Sequence, residues 1–172
     1  MLIPSNYWEG DTLKYEYPWL TPESICWLEN HITDKANIVE FGCGGSTLFF
    51  ASRCRSLITI DNNNAWLSKV QTIVDRTGLK NVSIHSVTSI DDCKFIVNSY
   101  ARHIDVALID CCDLSRYELT KFMIDKTNVI VVDNYSCDYV GDTDKLFSPE
   151  WTILKYDDLH WAGSGTKIYL KT

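Results

Sequence analysis

Short, almost unbroken apolar runs recur along this chain, separated by longer stretches in which apolar residues return at helical spacing. Residues 37–42 (NIVEFG), 57–61 (LITID), 104–110 (IDVALID) and 128–133 (NVIVVD) are runs of the first kind, while 81–87 (NVSIHSV) alternates polar and apolar positions. Their length and β-branched content predict strands, most of them buried on both faces. Helices are expected between them. Thr21-Pro22-Glu23 offers a capping residue, a proline at the first helical position and an acid in the first turn, so a helix should cover 22–32. Others are expected over 46–54, opened by Ser46 or Thr47, and over 65–77, where Trp66, Val70, Ile73 and Val74 share a face and Gly78 marks the stop. Two more should span 90–101 and 114–125. After Asp133 the rhythm changes: 151–156 and 166–170 read as two strands with no helix-length segment between them, which suits an antiparallel pair.

Five strand–helix units in succession imply an α/β fold, a doubly wound and mostly parallel sheet, because parallel strands need crossovers and the crossovers cover both faces. With the terminal pair the sheet would have seven strands. Ligands in such sheets bind beyond the carboxyl ends of the strands, where strand order switches. Those ends here carry Glu40 with Gly42 and Gly44, then Asp61, then Ser86 and Val87, then Asp110, then Asp133 with Asn134.

Composition narrows the possibilities. A chain of 172 residues with 45% apolar content fits one domain that needs no disulfide or metal to fold. The net charge of −7, with no run of three basic residues, disfavours nucleic acid and anionic membranes as partners. Seven cysteines, an odd number without zinc spacing, suit reduced thiols in the cytoplasm. The polar, acidic start lacks the basic and apolar regions of a signal peptide, and no stretch approaches a membrane span.

The turn Glu40-Phe41-Gly42-Cys43-Gly44-Gly45-Ser46-Thr47 joins a strand to a helix through glycines that let a ligand approach the main chain. Asp61 closes the next strand 19 residues after Gly42, near the ~20-residue spacing at which an acid can hold ribose hydroxyls. A dinucleotide site would want a third glycine where Thr47 stands. An acid two residues before the first glycine suits a positive or donor-rich ligand end, such as the methionine amine of S-adenosylmethionine, and would repel a pyrophosphate.

VEFGCGGSTLFFA with ITIDNNNAW resembles the cofactor motifs of class I S-adenosylmethionine-dependent methyltransferases, and YPWLTPESICWLENHI is similar to the helix before their first strand. The resemblance covers nearly the whole chain, terminal strand pair included, and implies a Rossmann-like fold. It implies that Glu40, Gly42, Cys43 and Gly44 line the methionine part, that Ser46 and Thr47 open the helix beside it, and that Asp61 holds the ribose. Asn62 would lie near the ribose or adenine edge, Ser86 and Val87 near the adenine, and Asp110 beside the cofactor. The strand ends ALID and VIVVDN also resemble catechol- and caffeoyl-type O-methyltransferases, where an Asp and an Asp-Asn pair bind a metal. That likeness implies Mg2+ on Asp110, Asp133 and Asn134, hard oxygen ligands of the type magnesium accepts. The chain departs from those enzymes in having Asp113 where they carry a lysine, and Asn134 could equally cap a turn.

Asp110 and His160 are the candidate catalytic residues, His160 because a loop imidazole can serve as a base near neutral pH. Tyr117 and Lys121 match a YxxxK pair, but in the wrong place for the dehydrogenases that use it. The aromatic segment over residues 1–20 is either packing or a lid. The resulting expectation is methyl transfer to the oxygen of a small molecule or sugar, in a single domain or with a second copy of the chain completing the site. A non-catalytic cofactor- or partner-binding domain and an NAD(P)-dependent oxidoreductase are the alternatives.

Overall fold

Five parallel strands form in the order the apolar runs prescribe. The computed structural model describes residues 12–100, 103–157 and 165–172. In chain order the elements are α1 (Thr12–Tyr15), α2 (Pro22–His31), β1 (Asn37–Phe41), α3 (Gly45–Ala51), β2 (Ser56–Asp61), α4 (Asn64–Thr77), β3 (Val82–Ser86), α5 (Ile90–Tyr100), β4 (Val106–Ile109), α6 (Arg116–Met123) and β5 (Val129–Asp133). A 3-10 turn (Thr143–Leu146) then leads to β6 (Trp151–Asp157) and β7 (Gly165–Lys171). The sheet order is β3-β2-β1-β4-β5-β7-β6, parallel through β5 and antiparallel at β7 and β6. Strand order reverses between β1 and β4, so a crevice opens above their carboxyl ends.

The unbroken apolar runs follow from burial on both faces. Val39 and Phe41 of β1, Ala107 and Ile109 of β4, and Ile130 and Val132 of β5 pack on one side with Cys93, Val97, Leu119 and Met123 of α5 and α6. Their neighbours Ile38, Val106, Leu108 and Val131 face the other side, against Ile25, Leu28, Phe49 and Phe50 of α2 and α3. α3 is buried along its whole length, which is why GSTLFFA carries no charged residue.

Several ends differ from expectation. Thr21 precedes α2 but makes no side-chain cap; its hydroxyl donates to Ser24 Oγ (2.9 Å) and its backbone N–H to Thr166 Oγ1 (3.1 Å). α3 starts one residue earlier than expected, with Gly44 as its cap and the Thr47 hydroxyl accepting the Gly44 N–H at 3.0 Å. α1 and the 3-10 turn have no periodic signal and were not anticipated. The 3-10 turn is held by tertiary contacts, as Lys167 Nζ and the Tyr169 hydroxyl both reach Asp144 at 2.7 Å. Among the described residues no helix is long and apolar enough to cross a membrane.

Candidate functional site

The glycine turn is shaped by what approaches it. Gly42 has φ +100°, and a Cβ there would lie 2.5 Å from the Asp110 carbonyl oxygen, so β1 and β4 can close on each other only at a glycine. At Gly45 a Cβ would stand 2.1 Å from the Tyr17 carbonyl oxygen and 2.6 Å from that of Thr12. The N-terminal segment therefore lies directly on the start of α3, and Tyr17 and Leu20 are buried there.

Asp61, at the end of β2, pins the turn. Its Oδ2 accepts the Cys43 N–H at 2.8 Å and its Oδ1 accepts the Asn63 N–H at 2.7 Å, each oxygen keeping capacity for a further donor. Trp66, at the start of α4, donates its indole N–H to the Cys43 carbonyl and lies beside Gly44. Beneath the turn, Glu40 Oε2 accepts the hydroxyls of Thr47 (2.7 Å) and Thr59 (2.6 Å), the latter its register partner on β2. Glu40 Oε1 has no hydrogen-bond partner. Burial pushes the Glu40 pKa up to about 7, although the hydroxyls of Thr59 and Thr47 favour its charged form.

Above β4 and β5 the arrangement centres on Arg116, the first residue of α6. Only 3% of its side chain is exposed. Its Nε donates to the Cys111 carbonyl (2.8 Å), its Nη1 to the Asp133 carbonyl (2.6 Å), and its Nη2 pairs with Asp110 Oδ1 (3.1 Å). Asp110 keeps 23% of its side chain exposed. Desolvation raises its pKa to about 6 against the opposing pull of Arg116. Asp133 is also pushed up, by burial and then by the charge of Asp110, while Thr166 donates to its Oδ1 at 2.7 Å.

These groups share one cleft of about 580 Å³, a size typical of small-molecule sites. Among the described residues its walls carry four acids, Asp61, Asp110, Asp113 and Asp133, against a single cation, Arg116. Trp19 and Tyr139 line it while remaining 56% and 64% exposed, which places two aromatic side chains at its rim. Thr12, Leu20 and Thr21 also line it, so the N-terminal segment both packs on α3 and forms a wall.

Of the residues singled out from sequence, Gly42, Cys43, Gly44, Ser46, Asp61, Asn62, Asp110, Asp133 and Asn134 line the cleft. Glu40 and Thr47 do not: both are fully buried, because β1 turns Glu40 toward Thr59 and away from the opening. Ser86 and Val87 are outside the wall as well, Val87 in the core and the Ser86 hydroxyl on Asn64 (2.6 Å). His160 falls outside the described residues. Tyr117 and Lys121 line no part of the cleft; Tyr117 packs on Gly141. Arg116 and Trp66 were missed. Asp110, Asp133 and Asn134 do converge, but around a guanidinium. With Asp110 paired to Arg116 and Asp133 engaged by Thr166, this donor set does not fit a divalent cation. Asn134 adopts φ +50° and its carbonyl accepts the Cys137 N–H at 2.9 Å, the turn-forming role open to an asparagine.

No protein-family profile and no curated protein matches the chain. It is similar to solved structures. An O-methyltransferase from Bacillus cereus in complex with S-adenosylhomocysteine superposes with a TM-score of 0.73 at 16% identity, covering 98% of this chain and 91% of that one. The O-methyltransferase TomG from Streptomyces achromogenes, in complex with S-adenosylmethionine, gives 0.68 at 15% identity over 92% and 85% of the two chains. An rRNA methylase from Streptococcus thermophilus gives 0.70 at 16% over 90% and 99%. At such identities the likeness shows a shared fold.

Proposed function

We propose that this chain, whose fold is the Rossmann-like one of the class I S-adenosylmethionine-dependent methyltransferases, transfers a methyl group to an oxygen of a small molecule. The observation that carries the reading is the acid-rich lining of the cleft among the described residues: Asp61, Asp110 and Asp113 beside one guanidinium, around a glycine turn at the switch point of the sheet. A sulfonium and an ammonium are attracted there, whereas the pyrophosphate of a dinucleotide is repelled, which counts against an oxidoreductase.

S-adenosylmethionine, when bound, supplies an electrophilic methyl group on a positively charged sulfur. The residues present fit such a ligand. Asp61 has acceptor capacity for a ribose diol, and the exposed backbone of residues 42–44 with Ser46 would follow the methionine part. Glu40 lies one layer behind, where its charge is felt without contact. Asp110, partly open to the cleft, is the group placed to take the proton of an acceptor hydroxyl. Trp19 and Tyr139 would flank the acceptor at the rim. Because the methyl donor is already reactive, holding, aligning and deprotonating are what the protein must contribute.

Calorimetric titration with S-adenosylhomocysteine and with NADH tests the reading. Binding of the first with a raised melting temperature, and no binding of the second, is the expected result. Binding of NADH alone would overturn it.

A further inference from the structure

We infer that Arg116 is the permanent cation of this cleft, standing where a divalent metal ion would otherwise bridge Asp110, Asp133 and Asn134, so that the site takes up no such ion. The inference deepens the proposed methyl transfer by assigning the positive group beside the acceptor oxygen.

The placement of the guanidinium supports it from three sides. Arg116 is rooted in α6, is almost fully buried, and is clamped by two carbonyls and one carboxylate drawn from the ends of both β4 and β5. Those are the strand ends whose side chains would have to ligate the metal. A divalent ion would have to share the space with a positive charge held by three contacts, or expel it from a buried position. One oxygen of each acid is engaged as well: Asp110 Oδ1 faces Nη2 at 3.1 Å and Asp133 Oδ1 accepts the Thr166 hydroxyl at 2.7 Å.

A guanidinium has five N–H groups in a planar fork, and three are used in these contacts. The two others remain for an oxygen that enters the cleft. A planar fork can hold an anionic oxygen as it loses its proton, the role a metal ion fills by coordination. Asp113 adds no cation, so Arg116 is the one positive side chain that lines the cleft among the described residues.

Manganese, which accepts the same hard oxygen ligands and is paramagnetic, is the probe. The bound fraction is read by electron paramagnetic resonance on the full chain, without methyl donor or acceptor. Wild type is expected to bind no Mn2+ below about 1 mM, the weak end of oxygen-ligand sites. Arg116→Met, which removes the charge and keeps the length, should bind at least about tenfold more tightly, and Arg116→Met with Asp133→Asn should lose that gain. Wild-type binding below about 1 mM that is weakened in Asp133→Asn would overturn the inference. So would a folded Arg116→Met protein that gains no manganese. If Arg116→Met does not fold, as judged by circular dichroism, the wild-type and Asp133→Asn measurements decide alone. Manganese binding is independent of S-adenosylhomocysteine binding, so failure here and failure of the methyltransferase reading can be told apart.

Discussion

Replacing Glu40 by glutamine should change how the stability of the protein depends on pH. In the folded chain burial holds the Glu40 pKa at about 7, against 4.5 for the free side chain. Below 4.5 the residue is protonated in both states and contributes no pH dependence. Between 4.5 and 7 the unfolded chain ionises while the folded one keeps its proton, so the folded state binds more protons and stability falls as pH rises. Above 7 both are ionised and the loss is complete. At about 1.4 kcal/mol per pKa unit, the full loss is about 3 kcal/mol, most of which falls between pH 5 and 8. For a domain of this size that is roughly 5–10 °C in melting temperature. In Glu40→Gln the amide oxygen can still accept the hydroxyls of Thr47 and Thr59. The amide nitrogen takes the place of the partnerless Oε1 and costs about 1–3 kcal/mol at every pH. Urea unfolding of both proteins from pH 5 to 8 isolates Glu40, since other titrating groups largely cancel in the difference. The variant should gain about 2–3 kcal/mol relative to wild type over that range. A difference that stays level within about 1 kcal/mol would refute the placement of a proton-binding carboxyl beneath the turn.

Two further outcomes follow from the same geometry. A cationic ligand favours ionised Glu40, so S-adenosylhomocysteine, through its amine, should bind more tightly as pH rises toward 7 and release protons on binding. Calorimetry in buffers of different ionisation enthalpy would read that release, which Glu40→Gln should diminish. In Asp61→Asn only one oxygen remains to accept the N–H groups of Cys43 and Asn63, leaving an amide against a donor. S-adenosylhomocysteine affinity should then fall roughly 10- to 100-fold, about 1.4–3 kcal/mol, with a drop in melting temperature; unchanged affinity would remove Asp61 from the ribose site.

The sheet and the strand-end acids were legible because buried parallel strands must be apolar throughout and must end where a ligand can reach them. Glycine turn and Asp61 could be paired by spacing alone. Glu40 was placed on the wrong side of the turn: a strand-end acid can face the opening or the interior, and the choice depends on Thr59, a partner on another strand. Trp66 sits at helical spacing with Val70 and Val74, the pattern of a core residue, yet at the first turn of α4 it is carried out to the glycine loop. Arg116 gave no local sign at all. One arginine among scattered basic residues becomes special only when α6 docks and sets it between the ends of β4 and β5. The acids at the ends of β4 and β5 could be grouped from sequence, but the guanidinium that α6 sets among them is invisible in one dimension.

Thr166 joins the backbone of Thr21, 145 positions before it in sequence, to the carboxylate of Asp133. β7, which carries it, follows every other element yet lies inside the sheet between β5 and β6. The cleft is therefore completed by a contact between segments far apart in sequence, the kind that forms late when a chain folds. A partly folded species holding only β1 to β5 would present the glycine turn but leave Asp133 without its hydroxyl donor and the Thr21 wall untethered. Ligand can then stabilise the finished protein without rescuing that species, so added S-adenosylhomocysteine should slow unfolding and leave the refolding rate unchanged.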